Sequence, residues 1–435
     1  MHTQTKTIAD INAKLAAGEA VVMTAMELKA RVRGGERLSV ADVDVVTTAT
    51  RAVMSGTAAM LSLPVGDEGE LPDSVTINNV PCLSRFRTRS GFTPVLLNGT
   101  EESLDNHGRY GGGHVLRALV ERDAVEIEWS SGGKRRRMSA TLDEMPFARL
   151  YTSRNSYQNY MGFTNVKNAD LYRNNPTSIF ACRPIPPLRG LAVSGCGEMN
   201  PGENDHARRV IRPGIRVLVN GAVGLIAGYG TRAAASQICL STVADMRDMD
   251  PQYMGGFRTS YGVETTNSLA VPFPVTSQEI LDNLMDCRDE KLAHNIGDLA
   301  DRIKLTSVPY ADIWHDAPLE VCFDPERCIC CSYQCEAEYY CPMNAISWKD
   351  KTIDQDLCVA CGACTGNCQG GAFMGRGGTP RRGLGDIHIF DQDVPIIFRQ
   401  SNRLRAERLA RALRTRLLNH DFYLVDTDSV CVLWN

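Results

Sequence analysis

The sequence predicts an α/β or α+β chain built of three units, and three observations predict it. Short β-rich runs dominate the first two thirds and alternate with stretches of helical periodicity. Near residue 318 the composition turns cysteine-rich, with ten of sixteen cysteines between Cys322 and Cys368. After residue 376 a Gly/Arg stretch (GRGGTPRRGLG) separates a last, small α/β segment. The expected boundaries are therefore 1–318, 319–376 and 377–435, and 435 residues exceed what one compact domain usually holds.

Ile8, Ile11 and Leu15 share one face of a first helix. Thr24 and Glu27 have capping-box spacing and start a second. Residues 44–48 form a β-rich run, and the small residues of 51–63 suggest a tight turn leading into a helix. From 74 to 129, β-rich runs alternate with Gly and Asn; 125–129 opens a hairpin turning at 130–133. Residues 216–226 read as a strand pair with glycine turns, and 278–303 as a helix. The last segment holds a strand near Ile387, a helix over 403–418 with a stripe of Leu404, Leu409, Leu413 and Leu417, and a β-rich run over 422–434.

Composition excludes some classes. With 43% hydrophobic and 23% charged residues the chain can build a core. A net charge of -4 gives no electrostatic case for nucleic acid, and Lys134 to Arg137 reads as a solvated patch. No apolar run reaches the roughly 18 residues of a membrane span. The polar, amphipathic start is unlike a signal peptide, so the expected setting is a reducing cytoplasm with cysteines used for metal and chemistry.

Cys358-x2-Cys361-x2-Cys364-x3-Cys368 has the spacing of a bacterial ferredoxin run. Three thiolates from one loop grip three corners of a cubane, and the fourth reaches a second cluster. The partner run is Cys328-x2-Cys331-x3-Cys335-x5-Cys341-Pro342. This assigns Cys328, Cys331, Cys335 and Cys368 to one [4Fe-4S] cluster, and Cys341, Cys358, Cys361 and Cys364 to another. Cys330 is spare, or replaces a neighbour. Zinc takes paired C-x2-C units, which triplets with a remote fourth cysteine fit poorly. Residues 319–376 are thus expected to form a ferredoxin-like α+β module with two [4Fe-4S] clusters. Such a module within a larger chain delivers electrons, received from an external donor, to a site in the large domain.

That domain has no dinucleotide fingerprint or P-loop lysine. Cys196, between two glycines, is expected in a tight exposed turn whose N–H groups stabilise a thiolate. Cys82 precedes Arg85, Arg87 and Arg89, which would lower its pKa. Cys182 is a weaker candidate, and Cys239, Cys287 and Cys431 default to core. In a strand the three arginines would share one face and bind a sulfonate, phosphate or carboxylate. Arg109 and His114 flank a glycine run and could hold an anion or donate a proton. Glu203 and His206 follow Cys196 as an acid-base pair.

The segments 44–48, 109–114 (RYGGGH), 141–146 (TLDEMP) and 213–231 resemble the homocysteine-biosynthesis, sulfur-incorporating family over roughly residues 7–315. The fused ferredoxin run, without a CBS pair, is similar to the branch called methanogenesis marker protein sixteen. The resemblance implies an enzyme that turns an aldehyde into a thiol with sulfide or a persulfide as donor. Adding sulfide and losing water gives a thioaldehyde, which needs two electrons and two protons. Cys196 or Cys82 would carry the sulfur, Arg85, Arg87, Arg89 and Arg109 would hold the acid group, and His114 or His206 would supply protons. Aspartate semialdehyde is the substrate in the homocysteine branch; the marker branch implies sulfoacetaldehyde and coenzyme M. Here Met54 precedes Ser55 where the homocysteine branch has a cysteine, and arginines replace an acidic, Asn-rich stretch, which favours the sulfonate. A non-catalytic electron-transfer or cluster-delivery protein is the rival, and a homo-oligomer is compatible with either.

Overall fold

The computed structural model describes residues 6–156, 161–166, 177–206, 208–231, 239–314, 317, 320–375 and 385–427. It is a mixed α/β structure with several sheets and few helices. The largest sheet runs in the order Val22–Thr24, Val45–Val53, Val263–Pro274, Arg216–Val219, Ala222–Tyr229, Cys239–Asp245, Ala148–Ser156, Thr57–Leu63, Thr93–Asn98, with Gly255–Arg258 added onto Val263–Pro274. Only Val22–Thr24 with Val45–Val53 pairs parallel. Val45–Val53 and Val263–Pro274 are buried along most of their length. Both faces are covered, so these strands read as continuous apolar and Thr runs rather than as alternations.

The helix Arg403–Leu418 lies across those two strands. Leu409, Leu413 and Leu417 are buried, and Thr47 Oγ1 donates to the Ala410 carbonyl at 2.8 Å. A second sheet of six strands runs Lys304–Pro309, Ala293–Asp298, Met161–Thr164, Leu191–Val193, Gln392–Arg399, Asp386–Ile389. The last segment therefore completes a sheet begun in the large domain, through the parallel pair Leu191–Val193 with Gln392–Arg399. The boundaries expected at 318/319 and 376/377, and the linker between them and Gly385, fall on or beside residues outside those described.

Residues 321–375 form two small antiparallel pairs, Val321–Phe323 with Phe373–Gly375 and Ile346–Ser347 with Thr352–Ile353. Two short helices, Glu336–Tyr339 and Ala363–Asn367, each sit beside one cysteine triplet.

Several elements stand as the sequence predicts. Thr24 and Glu27 form a capping box, with bonds of 2.8 and 3.2 Å. The hairpin Val125–Ser131 with Lys134–Ala140 turns at two glycines, and Gly221 (φ +88°) turns Arg216–Val219 into Ala222–Tyr229. Elsewhere the structure differs. Residues 51–63 are the end of one strand and the whole of the next, not a turn into a helix, because Thr57–Leu63 alternates buried and half-buried positions between two partner strands, Thr93–Asn98 and Ala148–Ser156. The helix expected over 278–303 ends at Met285 and gives way to Ala293–Asp298, after Asp289 turns in to a buried ion-pair network. A helix, Gly112–Val120, interrupts the run expected to be all β. Its glycines serve close packing: a Cβ on Gly113 would lie 2.9 Å from the Gly256 Cα, and one on Gly112 would overlap the Asn98 carbonyl. Residues 422–427 form no strand, and 428–434 lie outside the described residues.

Candidate functional site

Residues 321–375 enclose two small cavities, and their linings sort the cysteines. Cys341, Cys358, Cys361 and Cys364 line one, with Val321, Ile346 and Val359. Cys328, Cys331, Cys335 and Cys368 line the other, with Phe323, Trp348 and Phe373. Backbone N–H groups point at the sulfurs: Ala345 to Cys341 at 3.3 Å, Ala360 to Cys358 at 3.4 Å, and Ala372 to Cys368 at 3.3 Å. Among the described residues no three His, Cys, Asp or Glu donors converge on a point as a single metal ion requires. The thiols of each set line a space rather than closing on one ion. Cys330 is exposed and lines neither cavity. Four thiols around an apolar space, with N–H donors on the sulfurs, suit a cubane cluster.

A larger cavity of about 430 Å³ opens between the two big sheets. Its wall includes Thr50, Ala52, Met54 and Ser55 at the end of Val45–Val53, Ser194 and Gly195 after Leu191–Val193, and Gln400 after Gln392–Arg399. Asn200, Cys239, Arg154 and Arg302 also line it. Strand alternation places Thr50 and Ala52 on the cavity side, and Arg51 between them points the other way. The Arg51 carbonyl accepts from Asn402 N at 3.1 Å, and Asn402 Nδ2 donates to the Val359 carbonyl at 2.6 Å beside Cys358. Val53 lines the larger cavity and also packs against the apolar shell of the cysteines. The strand thus lines the open cavity and is joined through a single residue, Asn402, to Val359 of the inner cysteine cavity.

The cavity is cationic. Arg302 stacks 4.5 Å from the Phe163 ring centroid and 5.0 Å from that of Phe180. Arg154 Nε donates to Thr231 Oγ1 at 2.9 Å. Neither arginine forms an ion pair with a carboxylate among the described residues. Ser55 donates to Glu264, a buried carboxyl pushed above its usual range by burial, whose Oε2 has no partner.

The residues proposed from sequence are dispersed. Cys196 is fully buried rather than exposed: its turn folds inward, and the thiol donates to the Arg51 carbonyl at 3.5 Å. Burial pushes that thiol up, the reverse of an activated thiolate. Cys196 nevertheless follows Ser194 and Gly195 of the cavity wall, and its neighbour Glu198 is held by Arg33 at 2.7 and 2.9 Å. Cys82 lies on the small sheet of Val80–Cys82, half-buried, its thiol pushed up to about 12 by burial and by the Glu101 carboxylate. Arg85, Arg87 and Arg89 form no strand face; Thr88 is the buried anchor, bonded to Thr93 at 2.7 Å, and the arginines splay into solvent. Arg109 stacks on Tyr339 at 4.1 Å, next to the cysteine module. Cys182 packs against that module, its thiol pushed up to about 12 by burial. His206 is exposed and meets the Glu203 carbonyl at 3.3 Å, not the Glu203 carboxylate, which pairs with Arg288 at 2.7 Å. None of these lines the larger cavity. Arg154, Arg302 and Cys239 do, and no motif marked them; Cys239 sits in a strand and reads as core.

His114 is buried at the start of the helix Gly112–Val120, stacked on Tyr110, with its pKa lowered to about 4 by burial and by Arg258. His294 is buried with both ring nitrogens unpartnered, its pKa lowered by burial to about 3. Both are neutral at pH 7, so His114 is a poor proton donor there. Between pH 6.5 and 4 the unfolded chain binds protons that these residues cannot accept. Stability is expected to rise with pH across that window and to be lost on acidification. Thermal unfolding at stepped pH checks this, and His294→Gln should flatten the slope.

A family model described as "Homocysteine biosynthesis enzyme, sulfur-incorporation" matches residues 20–424. An uncharacterized protein of Methanothermobacter thermautotrophicus is 37% identical over 96% of this chain and 94% of its own. Another, of Methanocaldococcus jannaschii, is 31% identical over 93% of this chain and 99% of its own. L-aspartate semialdehyde sulfurtransferase of the same organism is 27% identical over 66% of this chain and 57% of its own. No solved structure matches the chain. No helix among the described residues is long and apolar enough to cross a membrane. The family match runs through the strands that build the larger cavity and through both cysteine cavities, and the chain belongs to the sulfur-incorporating homocysteine-biosynthesis enzyme family.

Proposed function

We propose that this protein is a reductive sulfurtransferase that inserts sulfide sulfur into a small anionic aldehyde, sulfoacetaldehyde above all, to give a thiol such as coenzyme M. The observation that carries this reading is the cationic cavity of about 430 Å³ whose wall strand Val45–Val53 is joined through Asn402 to Val359 of the inner cysteine cavity. Arg154 and Arg302 supply two guanidinium forks for an acid group, and a sulfonate offers three oxygens to them. Asn200, Gln400 and Ser194 line the remaining polar wall.

Sulfide adds to the aldehyde carbon, the carbonyl oxygen takes a proton, and water leaves to give a thioaldehyde. Two electrons and two protons then complete the thiol. The Ser55–Glu264 pair stands at the cavity wall as a proton relay, since a buried carboxyl is poised to carry a proton nearer neutral pH. The eight thiols would hold two [4Fe-4S] clusters, which supply single electrons. Ile329, on the wall of the outer cavity, and Tyr333 are exposed and offer an external electron donor its docking face.

The named sulfurtransferase relatives favour a second reading, aspartate semialdehyde to homocysteine. Product analysis separates the two. The anaerobic protein, reconstituted with iron and sulfide, is given each aldehyde with sulfide and a low-potential reductant. Coenzyme M from sulfoacetaldehyde is expected. Homocysteine alone would move the assignment to the second substrate, and no thiol from either sinks both.

A further inference from the structure

We infer that the protein polarises its two cysteine cavities with buried arginines, so that electrons collect at the inner set, Cys341, Cys358, Cys361 and Cys364. This rests on the reading that both sets hold [4Fe-4S] clusters.

Two buried guanidinium groups, Arg258 and Arg405, hold the loops of the inner cavity, and a third, Arg51, lies within Coulombic reach of Cys196 and Cys358. Arg258 donates Nε to the Cys341 carbonyl at 3.2 Å and Nη2 to that of Tyr339 at 3.1 Å. Arg405 donates to the carbonyls of Gln355 and Asp356, each at 2.8 Å, and of Cys358 at 3.2 Å. Arg51 is 1% exposed; its Nη2 reaches Thr266 Oγ1 at 3.3 Å, while Nε and Nη1 have no partner. No carboxylate forms an ion pair with any of the three among the described residues. Arg117, beside them, is the contrast, paired with Glu121 at 2.8 Å.

A buried cation without a counter-ion costs several kcal/mol. Two bound to the inner set's own loops, with Arg51 within reach of Cys358, are reasonable only if that set carries negative charge. A tetrathiolate cubane does, and it gains another negative charge on reduction. In a low-dielectric interior, fixed positive charge therefore favours the reduced form and raises the potential.

The outer set lacks this surround. Cys328, Cys331 and Cys368 are half-buried, and Tyr333 beside them is 94% exposed. Its one lining cation is Lys351, half-buried and laid 4.6 Å over the Trp348 ring. A partly solvated ammonium is screened far more than a buried guanidinium. The outer set is thus the entry point, and the inner set, joined through Val359 and Asn402 to the strand that lines the larger cavity, holds the electron on the substrate side.

The test is a redox titration of the full-length, anaerobically purified protein followed by electron paramagnetic resonance. Two reduction steps are expected, and Cys331→Ala should remove the lower one. Arg51→Met should lower the higher step by about tenfold in equilibrium constant, about 59 mV for one electron, and leave the lower step in place. Arg51→Lys, which keeps a charge, should retain most of it. One coincident step in the wild type, or loss of the higher step in Cys331→Ala, overturns the inference even if Arg51→Met does not fold. A folded Arg51→Met that leaves the higher step unmoved also overturns it. Protein without iron would instead remove the cluster reading beneath it.

Discussion

Replacing Arg154 and Arg302 by methionine is expected to cut kcat/KM for an anionic aldehyde by two orders of magnitude or more. Each arginine lines the larger cavity and, although Asp298 acts on Arg302 and Glu264 on Arg154 through space, neither arginine is closed into an ion pair among the described residues, so its charge is available to a ligand. A charge-assisted hydrogen bond contributes roughly 1.5–3 kcal/mol, and about 1.4 kcal/mol is tenfold in affinity. Arg302 is the more exposed and should act at the low end of that range. Its stacking on Phe163 and Phe180 holds the fork in place without substrate, which reduces the entropy lost on binding. Methionine keeps the apolar stem and removes the charge, so packing changes little. The loss should fall mainly on KM, because the acid group is not part of the reacting carbon. An aldehyde without an acid group is the control: it should be poorly used by wild type and no worse by the variants. Equal losses with both aldehydes would mean that the arginines shape the cavity rather than bind the anion.

The cysteine module was legible because its information is local. Spacing alone sorted eight thiols into two sets, and the same two sets line the two cavities, with Cys330 left outside. The helix Arg403–Leu418 was legible from its leucine stripe, since a period of 3.6 residues needs no tertiary knowledge. The larger cavity was not. It assembles Ser55, Arg154, Cys239, Arg302 and Gln400 from five separate stretches, and no spacing links them. Arg85, Arg87 and Arg89 misled because alternation was read without the buried Thr88 that decides the loop. Cys196 misled because flanking glycines mark a tight turn but not which way it faces. Gly197 has φ +68°, and a Cβ there would meet Asp289 and Tyr310. The glycine serves burial, not exposure. What sequence found near Cys196 was a neighbourhood: Ser194 and Gly195, just before it, line the cavity wall.

Cys358→Ala should remove about half the iron and nearly all thiol formation, whereas Cys330→Ala should change neither. Cys358 lines the inner cavity, accepts the Ala360 N–H at 3.4 Å, and has its carbonyl held by Arg405 at 3.2 Å. Losing it opens one corner of a four-thiol set while the other set keeps all of its members. The loss should also destabilise the fold. Arg51, Arg258 and Arg405 would then face a cavity with less negative charge, and uncompensated buried charge costs several kcal/mol. A lowered Tm relative to Cys330→Ala is therefore expected alongside the iron loss. Cys330 is exposed at φ +48° and turned away from both cavities, so alanine there removes no ligand. Iron and acid-labile sulfide per chain, measured on both variants with thiol output, make the comparison. If Cys330→Ala loses as much iron as Cys358→Ala, the ligand sets are wrong. If Cys358→Ala keeps its activity, electrons reach the cavity by a route other than the inner set.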